Sequence, residues 1–260
     1  MTVTSARPLT KRVGLAEQFI ALAEVTLLLA SAHVACKSFK QFTELGRQEV
    51  AAKLNFSPGW TMAMFAIGLL IILRRDFGTY GLDVRVWPME LKRAIEMAAA
   101  KSRISPRWWW TAIGLQFVVC IVAGLFRLSV TQLLLLVTWQ LFATALGEEI
   151  FFRGYMQSRL SQVFVRRFSI LRIRCGFGLI ITALLFGLLH SFNTVDYFSG
   201  RFTFAWTLAF LTALMGFAFG LLKEGTGSIV PGIIVHALNN LFWLMVMPHS
   251  AWFWLSRPSH

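Results

Sequence analysis

The 260-residue chain is 57% hydrophobic and only 14% charged, and its mean hydropathy of +0.64 excludes an ordinary soluble domain and groups it with polytopic membrane proteins. Its net charge of +13 falls mainly in two basic blocks between apolar runs, a distribution that suits an anionic lipid surface and topology control and argues against nucleic acid. Cys36, Cys120 and Cys175 lie in separate segments without metal-type spacing, so neither a disulfide framework nor a zinc knuckle is expected.

The pattern predicts an all-α bundle of about seven membrane spans. Met1 to Arg12 is polar and basic, with Arg7, Lys11 and Arg12, and the first apolar run covers Leu15 to Ala35. Ala30-Ser31-Ala32 has the small-x-small form of a signal-peptide cleavage site, but Glu24 inside the run and the long polar lead favour a retained helix. Lys37 to Ser57 reads as a polar connection, and Trp60 to Leu73 as a short second span.

Arg74 to Arg107 is a basic segment, with Arg74, Arg75, Arg85, Lys92, Arg93, Lys101, Arg103 and Arg107 against Asp76, Asp83, Glu90 and Glu96. Within it, Met89 to Ala100 carries the stripe Leu91, Ala94, Ile95, Ala98, Ala99. That stripe fits a helix along the lipid headgroups or a plain solvated connecting helix. Trp108-Trp109-Trp110 opens the third span, to Phe126, in the manner of an interfacial aromatic belt.

The fourth apolar run starts near Leu128 and contains Glu148, Glu149 and Arg153. The second basic block follows with Arg159, Arg166, Arg167, Arg172 and Arg174 and no acid among them. Three more apolar runs cover Phe177 to Phe198, Phe202 to Leu222 and Ser228 to Met247, the last two joined by the glycine-rich turn Lys223 to Gly227. Gly216 and Gly220 have small-xxx-small spacing, to which no chemistry is attached. An inside N-terminus puts both basic blocks on the cytoplasmic face. Lys37, Lys40, Arg47 and Lys53 then fall outside, against the rule, although Glu44 and Glu49 accompany them. The implied organisation is N-terminal transmembrane helices over 1–127, with the basic cytoplasmic segment 74–107, a catalytic bundle over 128–247 and a tail over 248–260.

Ionisable groups in a membrane helix cost several kcal/mol, so they usually turn inward, pair and mark a working site. Glu149 and Arg153 are i,i+4 neighbours in the favourable order, whereas Glu148 points about 100° away on the helix. The remaining intramembrane polar groups are few: His190 closes Phe186-Gly187-Leu188-Leu189-His190, and His236 and Asn240 share a helix face at i,i+4. A fourth helix ending at Leu146 would leave Glu148 and His190 roughly 20 Å apart in depth. Extending it to about Leu160, with Arg159 snorkelling, and starting the fifth near Gly178 brings Glu148, His190 and His236 together in the cytoplasmic half of the bundle.

A carboxylate, two histidines and an asparagine within reach of water can hydrolyse an amide. Glu148 is the general base, His190 orients the water or shuttles its proton, and His236 and Asn240 donate to the oxyanion. Glu149 and Arg153 are the supporting pair. No cofactor is required, although Glu148, His190 and His236 also make a His2Glu zinc set with one position left for water. No His-Glu-x-x-His helix accompanies that set.

These motifs resemble the CPBP family, the CAAX prenyl protease and bacteriocin-processing (Abi) intramembrane proteases. Glu148-Glu149-x-x-x-Arg153 looks like its first motif, Phe186-x-x-x-His190 its second and His236-x-x-x-Asn240 its third. They occur in the family's order, with the family-like Gly227-Ser228-Ile229-Val230-Pro231 before the last, and the likeness covers about Leu133 to Asn240. The resemblance implies a glutamate-type intramembrane endopeptidase that acts on a membrane-associated or lipid-modified peptide. In that reading Glu148 and His190 activate water, and His236 and Asn240 form the oxyanion site. The expected location is a bacterial plasma membrane with the N-terminus cytoplasmic. The alternative reading is a non-catalytic membrane scaffold or immunity protein of the same fold. A transporter with a Glu149–Arg153 proton relay ranks last, because no inverted repeat or broken-helix pair is visible.

Overall fold

The computed structural model describes residues 14–46, 58–83, 87–102, 105–164, 166–170 and 173–246. Arg7, Lys11, Arg12, Arg47, Lys53, Arg85, Arg103, Arg172 and the tail 248–260 lie outside the described residues. The helices are α1 (Leu15–Gly46), α2 (Pro58–Ile72), α3 (Trp87–Ser102), α4 (Pro106–Leu125), α5 (Val130–Val163), α6 (Phe177–Ser191), α7 (Trp206–Thr226) and α8 (Val230–Met245). Five of them, α1, α4, α5, α6 and α7, contain stretches long and apolar enough to cross a bilayer, and α2 and α8 are apolar but shorter. Their outward faces carry Phe19 at 78%, Leu135 at 67% and Phe210 at 64% exposure. Large apolar side chains displayed in this way suit lipid and not water. The chain is a multi-pass membrane protein built as an all-α bundle.

The central element is α5. Ser129 starts it with a capping box, in which Gln132 N–H donates to Ser129 Oγ at 3.3 Å and Ser129 N–H to Gln132 Oε1 at 2.9 Å. It then runs unbroken to Val163, about 50 Å at 1.5 Å per residue. The extension past Leu146 expected from depth is therefore present, and α6 begins at Phe177, next to the expected Gly178. On one side, α1 and α2 pack against α5, and on the other α6, α7 and α8 do. Phe151, Phe152, Tyr155 and Met156 of α5 are fully buried in a core shared with Ala21 and Val25 of α1, Ala66 and Leu70 of α2 and Phe186 of α6.

Several local expectations need correction. Helix α1 continues past Ala35 to Gly46, and Lys37 extends from it to donate to the carbonyls of Asn193 at 3.2 Å and Val195 at 2.9 Å. One of the four cations that go against the charge rule thus caps the chain just beyond the end of α6, a favourable place for positive charge. Arg159 does not snorkel. Its Nε donates to Glu24 Oε2 at 3.0 Å, and the same carboxylate takes Arg75 Nη1 at 2.5 Å and Nη2 at 3.0 Å and the Tyr155 hydroxyl. The acid inside the first apolar run therefore ties α1 to α5 and to the residues after α2.

The stripe on α3 is helical as expected, and its Ile95 and Ala99 are buried where α3 packs on α4, α7 and α8. The second basic block is not a plain connection. Arg166–Ile170 (β1) and Ile173–Gly176 (β2) form an antiparallel hairpin with Ser169 opposite Arg174 and Ile170 opposite Ile173. Gly216 and Gly220 do more than admit a neighbouring helix. Arg153 Nη2 donates to the Gly216 carbonyl at 3.1 Å and Gln157 Nε2 to that of Gly220 at 2.9 Å. A Cβ at Gly216 would lie 3.1 Å from Arg153 Nη2, so the missing side chain makes room for the guanidinium.

Candidate active site

Five consecutive backbone segments of α5 decide how its polar residues face. A short α-helical turn, Leu146–Glu149, stands between two π-helical segments, Trp139–Ala145 and Ile150–Gln157. Such i→i+5 segments rotate the faces on either side of them and recur at functional sites. The periodicity of an apolar run does not announce them.

Glu149 is fully buried, and its Oε1 lies 3.1 Å from Arg153 Nη1. The i,i+4 pair expected from the sequence is therefore made. Arg153, also fully buried, sits over the ring of Phe186 at 4.4 Å and near that of Phe219 at 5.2 Å. These faces add cation–π attraction to a charge held out of water. The same Glu149 Oε1 accepts from His236 Nδ1 at 3.0 Å. This contact between α5 and α8 has no signature in the sequence. It requires Gly232, where a Cβ would stand 2.7 Å from Glu149 Oε2.

Glu148 faces elsewhere, as its angular offset implies. Its side chain keeps 13% exposure, its Oε2 has no hydrogen-bond partner within the protein, and that oxygen is 3.8 Å from His236 Nε2. His236 thus stands between the two glutamates, one on each ring nitrogen, with Phe219 stacked on it at 4.8 Å and 20°. His190, near the C-terminal end of α6, uses Nδ1 toward the Phe186 carbonyl at 2.8 Å, and its ring lies 4.5 Å from that of Phe186. With Nδ1–H donated there, Nε2 carries the lone pair. Asn240 Nδ2 donates to Gln140 Oε1 at 3.2 Å.

Glu148, His190, His236 and Asn240 line one cavity of about 320 Å³, together with Gln140, Thr144, Asn193, Thr212 and Asn239 and the apolar Leu208, Leu211, Met215, Trp243 and Leu244. All four sequence-expected residues converge there, and Glu149 and Arg153 stand behind them. Sequence reasoning missed Gln140 and Thr144, which precede Glu148 at intervals of four residues and so could have been found by extending its helix face backwards. Phe186, in the sequence only the first position of its motif, contacts Arg153, His190 and His236.

Among the described residues no group of three or more His, Cys, Asp or Glu side chains is arranged to hold a metal ion.

Comparison of the chain with curated proteins and with solved structures gives no match. Comparison with family models matches residues 129–242 to the type II CAAX prenyl endopeptidase Rce1-like family. The match opens at the Ser129 cap of α5 and closes within α8, so it covers every residue that lines the cavity except Trp243 and Leu244. Residues 129–242, which carry the three motifs, thus match the type II CAAX prenyl endopeptidase Rce1-like family, consistent with the CPBP family that the motifs resemble.

Proposed function

We propose that the protein is an intramembrane endopeptidase that hydrolyses a peptide bond in a membrane-associated or lipid-modified peptide, with Glu148 as the base that activates water. The observation that carries this reading is the division between the two glutamates. Glu149 is fully buried with its Oε1 on Arg153 and His236, while Glu148 lines the cavity and its side chain keeps 13% exposure. A carboxylate in that position can accept a proton from water.

As water adds to the carbonyl carbon, Glu148 takes its proton and the His190 Nε2 lone pair orients its second hydrogen. The new oxyanion accepts from Asn240 Nδ2–H and, when the ring carries a proton on Nε2, from His236. Collapse breaks the C–N bond and returns the proton to the leaving amine, giving a free amine and a carboxylate. Glu149 holds the His236 ring through Nδ1, and Arg153 neutralises Glu149. The apolar wall of Leu208, Leu211, Met215 and Trp243 supports a substrate that enters from the bilayer. The basic connections and hairpin suit a cytoplasmic face, with the N-terminus on the same side.

The test is incubation of the purified protein in lipid nanodiscs with a farnesylated peptide ending in a CAAX sequence and with its unlipidated counterpart, the products being read by mass. Endoproteolytic products from either peptide support the reading, and the pair reports whether the lipid is required. Intact peptides in both arms, from protein with a native unfolding transition, would favour a non-catalytic scaffold of this fold.

A further inference from the structure

The two ends of the helix bundle are built differently. At one end the β1–β2 hairpin, the turn between α7 and α8 and the residues after α2 come together. A Cβ on Gly225 would lie 3.0 Å from Ile173 Cδ1 of β2, and one on Gly81 would stand 3.2 Å from the Gly227 carbonyl oxygen. At the far end α4 closes, α5 opens and α8 closes, since a Cβ on Gly124 would meet Leu133 Cδ1 at 2.6 Å and Met245 Sδ at 3.2 Å. Chain order places the connection between α6 and α7 at this far end as well.

The cavity occupies the far half of the bundle. On α5, α6, α7 and α8 the lining residue nearest the hairpin end is Glu148, His190, Met215 and His236 respectively, and every other lining residue lies farther from that end. His190 is the last but one of the 15 residues of α6, so it stands about 20 Å from the helix start at Phe177. The lining residues that remain exposed are Asn193, Met215 and Leu244, so the cavity opens beside them. Behind the reacting groups the path is shut. Arg153 lies over Phe186, Phe186 meets Phe152 edge-on and Phe219 stacks on His236, and these four side chains are at most 2% exposed. A peptide coming from the hairpin end would have to break this close-packed layer to reach Glu148.

Charge decides which end is which. At the hairpin end the sequence carries eight basic residues against four acids over 74–107 and five against none over 159–174. At the far end it carries four against two over 37–57, Arg127 alone over 126–129, and Arg201 paired with Asp196 at 3.5 Å over 192–205. Basic connections are retained in the cytoplasm, so the hairpin end is cytoplasmic and the cavity opens away from it.

We propose that the cavity takes its substrate from the extracytoplasmic half of the membrane, as a peptide segment already inserted or translocated whose scissile bond is presented from the outer leaflet. That the cavity cuts this peptide rests on the function proposed above; the side on which it opens does not.

Thiol accessibility in sealed membranes tests the side. The full chain, with Cys36, Cys120 and Cys175 replaced by alanine, receives one cysteine at a time: Thr212→Cys in the cavity, Asn193→Cys at its mouth and Arg174→Cys on the hairpin. Right-side-out and inverted vesicles are treated with a positively charged, membrane-impermeant methanethiosulfonate. Thr212→Cys and Asn193→Cys are expected to react in right-side-out vesicles, and Arg174→Cys in inverted ones alone. Reaction of Thr212→Cys in inverted vesicles alone, together with Arg174→Cys, would overturn the proposal. Its failure to react in either orientation, with a native unfolding transition, would overturn it too. The peptide cleaved in nanodiscs is then added to both preparations of the parent, where cleavage is expected in right-side-out vesicles and lost in inverted ones; the reverse would contradict the proposal. Intact peptide in nanodiscs would remove the proposed function and the substrate with it, whereas the thiol pattern would still decide the side.

Discussion

Glu149 Oε1 accepts from His236 Nδ1 at 3.0 Å while lying 3.1 Å from Arg153 Nη1. One buried oxygen therefore neutralises an arginine and aims an imidazole from a different helix. This double engagement separates two adjacent glutamates that composition alone cannot distinguish. Glu149 is structural and positioning, and Glu148 is left to the cavity.

The separation predicts opposite signatures for two like substitutions. Glu149→Gln leaves Arg153 buried without its counter-charge, which costs roughly 3–5 kcal/mol when one partner of a buried pair is removed. Glu148→Gln removes a group with no hydrogen bond on Oε2 within the protein, and its stability is expected to stay within about 1 kcal/mol of the parent. Equilibrium unfolding in detergent checks both, and equal losses would contradict the division.

Gly232 offers a finer probe of the same contact. In Gly232→Ala the new methyl would stand 2.7 Å from Glu149 Oε2, displacing the carboxylate that holds His236. Overpacking of this kind costs about 1–3 kcal/mol, and turnover should fall by more than the stability loss explains. Gly114→Ala is the control, since nothing lies within 4 Å of its Cβ. It should leave turnover unchanged and, as a helix-interior glycine replaced by alanine, raise stability by no more than about 1 kcal/mol.

The Glu24 cluster predicts a loss of stability with the site left intact. Hydrogen bonds to charged groups contribute roughly 1.5–3 kcal/mol each, and Glu24 accepts from Arg75, Arg159 and Tyr155. Glu24→Gln should lower the unfolding midpoint clearly and Arg159→Lys less so. In both, the KM of the remaining folded protein should be unchanged. A shifted KM would connect the cluster to substrate binding.

Metal removal divides the glutamate mechanism from the zinc alternative. With Glu148 as base, dialysis against EDTA or 1,10-phenanthroline is expected to leave kcat/KM within about twofold of the untreated protein, as expected where no bound metal supplies the nucleophile. Loss of turnover that zinc restores would transfer water activation from Glu148 to a metal.

Much of the fold is legible in the sequence because the bilayer constrains it. Apolar runs of spanning length and two basic blocks give the helices and their order, and the cost of charge in lipid brings Glu148, His190 and His236 to a common depth. Extending α5 beyond Leu146 follows from that cost alone. The parts that escaped depend on other physics. The π segments on either side of Glu148 leave no mark in the spacing of the apolar residues along α5. The Glu149–His236 bond joins residues 87 apart in sequence, and only packing fixes such a pair. The hairpin was hidden by its charge: Phe168 and Ile170 alternate with Arg167 and Ser169, a period-two signal that a reading by net charge passes over. Residue type alone sends Lys37 to the outer face and Arg159 to the lipid interface, whereas the carbonyls of Asn193 and Val195 and the carboxylate of Glu24 give them partners in the molecule.

The most direct measurement is single-turnover cleavage by Glu148→Gln against the parent, in nanodiscs of the same lipid and with matched unfolding transitions. The account predicts that the parent cleaves and that Glu148→Gln shows no cleavage above the protein-free rate while binding the peptide with the parent's affinity. Cleavage by Glu148→Gln at the parent's rate would contradict it.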